Sequence, residues 1–177
     1  MIYLERALFI VGDQNDGKSS QIRDTFRDQR FHNNGQSRIG DNGRLPTWTG
    51  LSNDRWLHIR LTSPHEYGEG FERFIEKIDS IEDKATGKYR WNFLSALQTN
   101  AYGNMLNSEE VVIRFNKIYR PERSEIALIH TGHSGKIRSP AEIDRISKSC
   151  KLHNIQFRMI DARIDNGLSL ADFFDFT

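Results

Sequence analysis

Apolar residues follow two rhythms along this chain. Residues 4–11 contain the run Ala7-Leu8-Phe9-Ile10-Val11, and residues 125–130 (EIALIH) are almost continuously apolar, so both predict buried strands. Residues 56–62 (WLHIRLT) alternate Leu57, Ile59 and Leu61 with Trp56, His58 and Arg60, the period of a half-covered strand toward a sheet edge. The segment IQFRMID, ending at Asp161, predicts a last strand. Between these segments the spacing turns helical. Ile22, Thr25 and Phe26 share one face, and Phe71, Phe74, Ile75, Ile78 and Ile81 share another. Trp91, Leu94, Leu97 and Ala101 fit a further helix after the break DKATGK. Val111, Val112, Phe115, Ile118 and Tyr119 fit one that must stop at Pro121, which cannot continue a helix. A helix opening at Ser139-Pro140 turns Ile143, Ile146 and Cys150 inward.

Strands alternating with helices predict an α/β fold: a three-layer αβα sandwich with a mainly parallel sheet covered on both faces. At 177 residues the chain fits one domain, 1–177. Residues 32–55 are polar and glycine-rich, and a structureless stretch of that length inside a compact domain reads as a lid or substrate loop. The closing residues LADFFDFT are expected to cover their own domain rather than to bind a partner.

Composition narrows the function classes. The longest apolar run, Ala7 to Val11, is far too short to span a membrane, and the N-terminus lacks the basic segment and long apolar core of a signal peptide. A cytoplasmic protein with no membrane partner is expected. The single Cys150 has no disulfide partner and reads as a small core hydrophobe. A net charge of +1 without blocks of like charge gives no sign of nucleic-acid binding.

The chemistry-bearing segment is Gly12-Asp13-Gln14-Asn15-Asp16-Gly17-Lys18-Ser19, followed by Ser20. It fits G-x-x-x-x-G-K-[ST] throughout, lies between a predicted strand and a predicted helix, and resembles the Walker A motif of P-loop nucleoside triphosphatases and kinases. The resemblance covers roughly residues 4–27 and matches no single subfamily. It implies a P-loop NTPase-like fold and a nucleoside triphosphate, ATP before GTP, bound with Mg²⁺ against the backbone and side chains of 12–20. Lys18 would then reach the β and γ phosphates and Ser19 would ligate the metal. Glycines let the backbone curl so that its N–H groups converge where the helix dipole also attracts phosphate.

Two departures stand against that pattern. Asp13 and Asp16 lie inside the loop, where a carboxylate repels phosphate unless it points away or helps hold a cation. No predicted strand beside the loop ends in an acid. Glu66, in TSPHE after the 56–62 strand, and Asp161, at the end of the last strand, are therefore the candidate catalytic carboxylates. Loop placement also brings His133, Ser134 and Lys136 to the phosphate edge, and sends Arg120 and Arg123 to the opposite end. His130 and His133 lack the further ligands that zinc requires. The chain has no D-x-x-G, and its only Asn-Lys pair, Asn116-Lys117, falls inside a predicted helix, so the signature segments of signalling GTPases are absent. The expected function is a small NTPase or kinase that hydrolyses the triphosphate or passes its γ-phosphate to an acceptor. The alternative is a nucleotide-gated module acting on a protein partner with little turnover.

Overall fold

The computed structural model describes residues 3–31, 45–52, 54–82 and 90–177. Over these residues the chain forms strands β1 (Tyr3–Val11), β2 (Trp48–Gly50), β3 (Arg55–Arg60), β4 (Arg90–Leu97), β5 (Arg123–Thr131) and β6 (Gln156–Asp161). The α-helices are α1 (Lys18–Thr25), α2 (Phe71–Glu82), α3 (Ser108–Tyr119), α4 (Pro140–Leu152) and α5 (Gly167–Ala171), with 3₁₀ turns at Gln29–Phe31 and Pro64–Tyr67. The strands make one sheet in the order β2-β3-β4-β1-β5-β6, in which only β2 is antiparallel.

Burial on both faces explains the composition of the central strands. Phe9 and Val11 of β1 pack with α2, α3 and α4, whereas Leu8 and Ile10 pack with α1 and α5. A register shift between Leu4 and Arg6 returns Leu4 and Ala7 to the first face. Phe9, Phe93 and Phe115 meet at ring-centroid distances of 5.1–5.8 Å, with Phe93 stacked on Phe115 at 18°. On the other face Phe173 and Phe174 join Ile22, Phe26 and Leu170, so the closing aromatics cover their own domain as expected. Cys150 is buried among the first group, and that burial pushes its thiol up to about 11.

Three expectations need correction. Residues 91–97 are strand β4, not a helix. Trp91, Phe93 and Leu97 face α2–α4 while Leu94 and Ala96 face α1, a period-two arrangement that the apolar residues on both faces conceal. β3 lies toward a sheet edge as expected, second after β2, but it is not half-covered. Leu57 and Ile59 pack on the α1 side, His58 stacks on Phe93 at 5.5 Å on the other, and β2 shields its outer flank. The expected lid, 32–55, contains β2 and the buried Leu51, which tie its second half to the sheet. Residues 32–44 and 53 of that segment lie outside the described residues.

All five parallel strands send their C-terminal ends to one edge of the sheet. The chain leaves β1 across the α1 face toward β3, whereas β4 and β5 leave across the opposite face toward β5 and β6. The end of β1 is therefore a topological switch point, where doubly wound sheets open a crevice. No helix among the described residues is long and apolar enough to cross a membrane.

Phe93 bridges β4 to the α3 layer, so Phe93→Ala should lower unfolding stability by about 3–5 kcal/mol. Urea denaturation followed by circular dichroism measures it, and a loss below about 1 kcal/mol would contradict the packing described.

Candidate functional site

The loop between β1 and α1 occupies that crevice. Gly12 N–H donates to the Leu97 carbonyl at 3.2 Å, which fixes the loop's start against β4. The backbone then turns through Asn15 (φ 66°) and Gly17 (φ 101°), both left-handed. α1 begins at Lys18 with Gly17 as N-cap and no side-chain cap bond, so the first amides of the helix are not satisfied by a capping side chain. A Cβ on Gly17 would lie 2.3 Å from the His133 ring, so glycine is required there by conformation and by space.

Lys18 is the centre of the arrangement. Its side chain is 4% exposed, and its ammonium donates to the Asp13 carbonyl at 2.6 Å, spanning the loop it follows. Glu66 approaches it to 3.9 Å. Burial lowers the pKa of Lys18, against the opposing pull of Glu66, Asp16 and Asp13. Ser19 Oγ, one residue on, donates to the Leu61 carbonyl at 3.2 Å, which brings the end of β3 beside the helix start. Gln21 ties the far flank of α1 to the loop after β6 by donating to the Ile164 carbonyl at 3.2 Å and accepting from Asn166 at 2.8 Å.

Glu66 is placed by its neighbour. His65 is fully buried, with Ser63 Oγ at 3.0 Å from Nδ1 and the Leu106 carbonyl at 2.8 Å from Nε2. A carbonyl can only accept, so Nε2 carries the proton and Nδ1 accepts from the Ser63 hydroxyl. Ser63 Oγ in turn accepts from Gln98 N–H at 3.2 Å. Burial, helped by the Lys18 charge, lowers the pKa of His65, which agrees with a neutral ring. The turn carrying Glu66 is thus pinned to the segment after β4.

These groups enclose a cleft of about 290 Å³. Asn15, Gly17, Lys18, Ser19 and Ser20 form its floor, with Glu66 on one side and His133 on the other. A larger hollow of about 490 Å³ lies between Asp24, Arg27, Arg30, Asp165 and Leu168. Its arginines are already paired, Arg27 with Asp24 at 3.2 Å and Arg30 with Asp28 and Asp172 at 2.7 and 2.6 Å. The chemistry concentrates in the smaller cleft.

The loop acids turn away from it. Asp16 and Asp13 meet Arg138 at 2.7 and 3.2 Å. Burial works to raise the Asp13 pKa, but the Arg138 charge and hydrogen bonds from Arg138 and Lys136 outweigh it and leave the carboxyl below its usual range. Arg138 was invisible to sequence reasoning because it follows the β5 loop by chain position and matches no motif; a lone arginine before a helix start gives no signal of its own. Gln14 is exposed at the loop tip. Asp161, at the end of β6, lies two strands from β1 and binds Arg163 at 2.6 Å, which holds its carboxyl at about 2, first through the side-chain hydrogen bond. It does not line the cleft. His133 and the exposed Ser134 and Lys136 lie at the C-terminal edge of the parallel strands, beside the glycine loop, and Arg120 and Arg123 at the opposite end. Among the described residues no group of three or more His, Cys, Asp or Glu is arranged to hold a metal by itself.

No protein-family model, no curated protein and no solved structure matches the chain. Functional assignment therefore rests on the cleft.

Gly17→Ala should cost about 1–2 kcal/mol, the penalty of a left-handed backbone for a residue with a Cβ, and should displace the His133 ring. Denaturant unfolding reads the first effect and the histidine ring resonances read the second.

Proposed function

We propose that this chain is a P-loop-type protein that binds a nucleoside triphosphate with Mg²⁺, ATP before GTP, and hydrolyses it or transfers its γ-phosphate. The observation that carries this reading is the position of the Lys18 ammonium: buried, folded over a left-handed glycine loop, and aimed into a cleft floored by the start of α1. A lysine that spans its own loop reads poorly as a packing residue and well as a cation held ready for an anion. The sheet order agrees, because the loop lies at the switch point where doubly wound folds bind ligands.

Hard oxygen donors suit Mg²⁺, and Ser19 Oγ, at the start of α1, is a side-chain oxygen on the cleft wall that would hold it, beside phosphate oxygens from the ligand. The metal would neutralise charge on the phosphates when bound. Of the chain's own groups, Lys18 binds the terminal phosphates and withdraws charge from them, the α1 amides orient them, and Glu66 holds the proton of an attacking water or hydroxyl. Glu66 takes this role ahead of Asp161, which is occupied by Arg163 away from the cleft.

A second reading draws on the same contact. A triphosphate reaching Lys18 competes with Glu66, which lies on the pinned turn Pro64–Tyr67 beside the exposed Tyr67. Displacement of Glu66 would signal occupancy to a protein partner without turnover.

Calorimetric titration of the full chain with ATP and GTP, with and without Mg²⁺, tests the binding. Lys18→Ala should weaken it by roughly one to two powers of ten while the circular dichroism spectrum stays unchanged. A folded variant with wild-type affinity, or a wild type that binds neither nucleotide, would end the triphosphate reading.

Glu66→Gln separates enzyme from switch. Binding should stay nearly unchanged while phosphate release falls by about two to four powers of ten. Loss of turnover in Asp161→Asn alone would move the role to β6, and a wild type that binds without releasing phosphate would favour the gated module.

A further inference from the structure

The strangest feature of the loop is its own negative charge. Asp13 and Asp16 stand next to a cleft read as a polyphosphate site, where free carboxylates would oppose the ligand. One buried guanidinium accounts for both. Arg138, whose side chain is 3% exposed, donates through NH2 to Asp16 Oδ2 at 2.7 Å and through NH1 to Asp13 Oδ1 at 3.2 Å. It also meets Glu142 Oε2 at 3.0 Å and donates from Nε to the Ile129 carbonyl at 3.0 Å, which anchors it to β5.

Asp16 transmits this hold to the loop backbone. The same Oδ2 that faces Arg138 accepts the Asp13 N–H at 2.7 Å, and the Asp16 carbonyl accepts the His133 N–H at 3.3 Å. The space is closed around it: a Cβ on Gly132 would lie 2.7 Å from Asp16 Oδ1, and one on Gly12 would lie 3.2 Å from Asp16 Cβ. Two glycines from different segments leave just enough room for this carboxylate to turn from the cleft toward Arg138.

We propose that Arg138 is the positioning residue of the phosphate loop, holding Asp13 and Asp16 off the cleft so that the loop presents amides and Lys18 to an anionic ligand. The inference rests on the triphosphate reading for its functional consequence, but the loop-holding role stands on the geometry alone. A lysine cannot replace it, because a single ammonium on a flexible stem does not reproduce a planar fork that bonds two carboxylates and a carbonyl in fixed directions. Lys136 also approaches Asp13, at 3.4 Å, but its side chain is 70% exposed and contributes little.

The test uses the full chain with Arg138→Ala, Arg138→Lys and the triple variant Arg138→Ala/Asp13→Asn/Asp16→Asn. Hydrogen exchange without nucleotide should show faster exchange in the 13–19 amides of both single variants, with β5 and the middle of α4 still protected. ATP affinity should fall by at least about tenfold in Arg138→Ala, with a smaller fall for ADP and the smallest for AMP, because the released carboxylates act on ligand charge. Removing those carboxylates in the triple variant should restore ATP affinity at least in part. Unchanged loop exchange would overturn the proposal, as would an equal loss for ATP, ADP and AMP, or a triple variant that regains thermal stability without affinity. Should Arg138→Ala not fold, Arg138→Lys reads the same exchange and the same ATP-to-AMP order. A wild type that binds neither ATP nor GTP would defeat the triphosphate reading, and the exchange pattern would then decide the loop-holding role alone.

Discussion

The structure depends on the confinement of β1. The strand is hydrogen-bonded on both flanks, by β4 and β5, and covered on both faces by helices, so Leu8 to Val11 are wholly buried. A strand held this way has no freedom to slip, since a shift by one residue would exchange the side chains meant for one layer with those meant for the other. The residue after it, Gly12, therefore enters the crevice at a fixed height, tied to the carbonyl that ends β4. Everything that follows, the left-handed turns, the start of α1 and the reach of Lys18, inherits its position from that confinement.

Around this fixed point the charges are sorted into two compartments. On one side of the loop Lys18 meets Glu66 and the opening of α1; on the other Arg138 meets Asp13, Asp16 and Glu142. The backbone of the loop is the partition. The turn after β3 contributes one wall through Glu66 and the loop after β5 contributes the other through His133, while Gln98 N–H to Ser63 and His65 to the Leu106 carbonyl fix the first of these to the segment after β4. The electrostatic character of the cleft thus comes less from the residues of the loop than from what stands behind it.

Much of this was legible in the residues. The spacing of Gly12, Gly17, Lys18 and Ser19 marked the loop, the run ending at Val11 marked its strand, and the order of loops correctly put Glu66 and His133 at the same edge. β4 was not legible as a strand, because Trp91, Leu94 and Leu97 satisfy a helical period as well as a strand buried on both sides, and only the pairing with β1 and β3 decides between them. β2 was hidden in a polar, glycine-rich segment, since an edge strand of three residues needs little apolar surface. The partner of the loop acids was hidden for a different reason. Arg138 lies 122 residues from Asp16, and a pairing over that distance leaves no periodic trace in the chain.

The strand order also imposes a sequence of events in time. β1 precedes its neighbours β4 and β5, which begin at Arg90 and Arg123, so a growing chain holds its most apolar segment without either pairing partner until about half of these residues have been synthesised. The helix that follows the loop waits longer still. Gln21 finds Asn166 across 145 residues, and α5 and the aromatic pair Phe173 and Phe174 complete the layer that α1 belongs to. Such distant contacts make for slow folding. A nascent chain would carry the residues of the glycine loop long before owning the cleft they line.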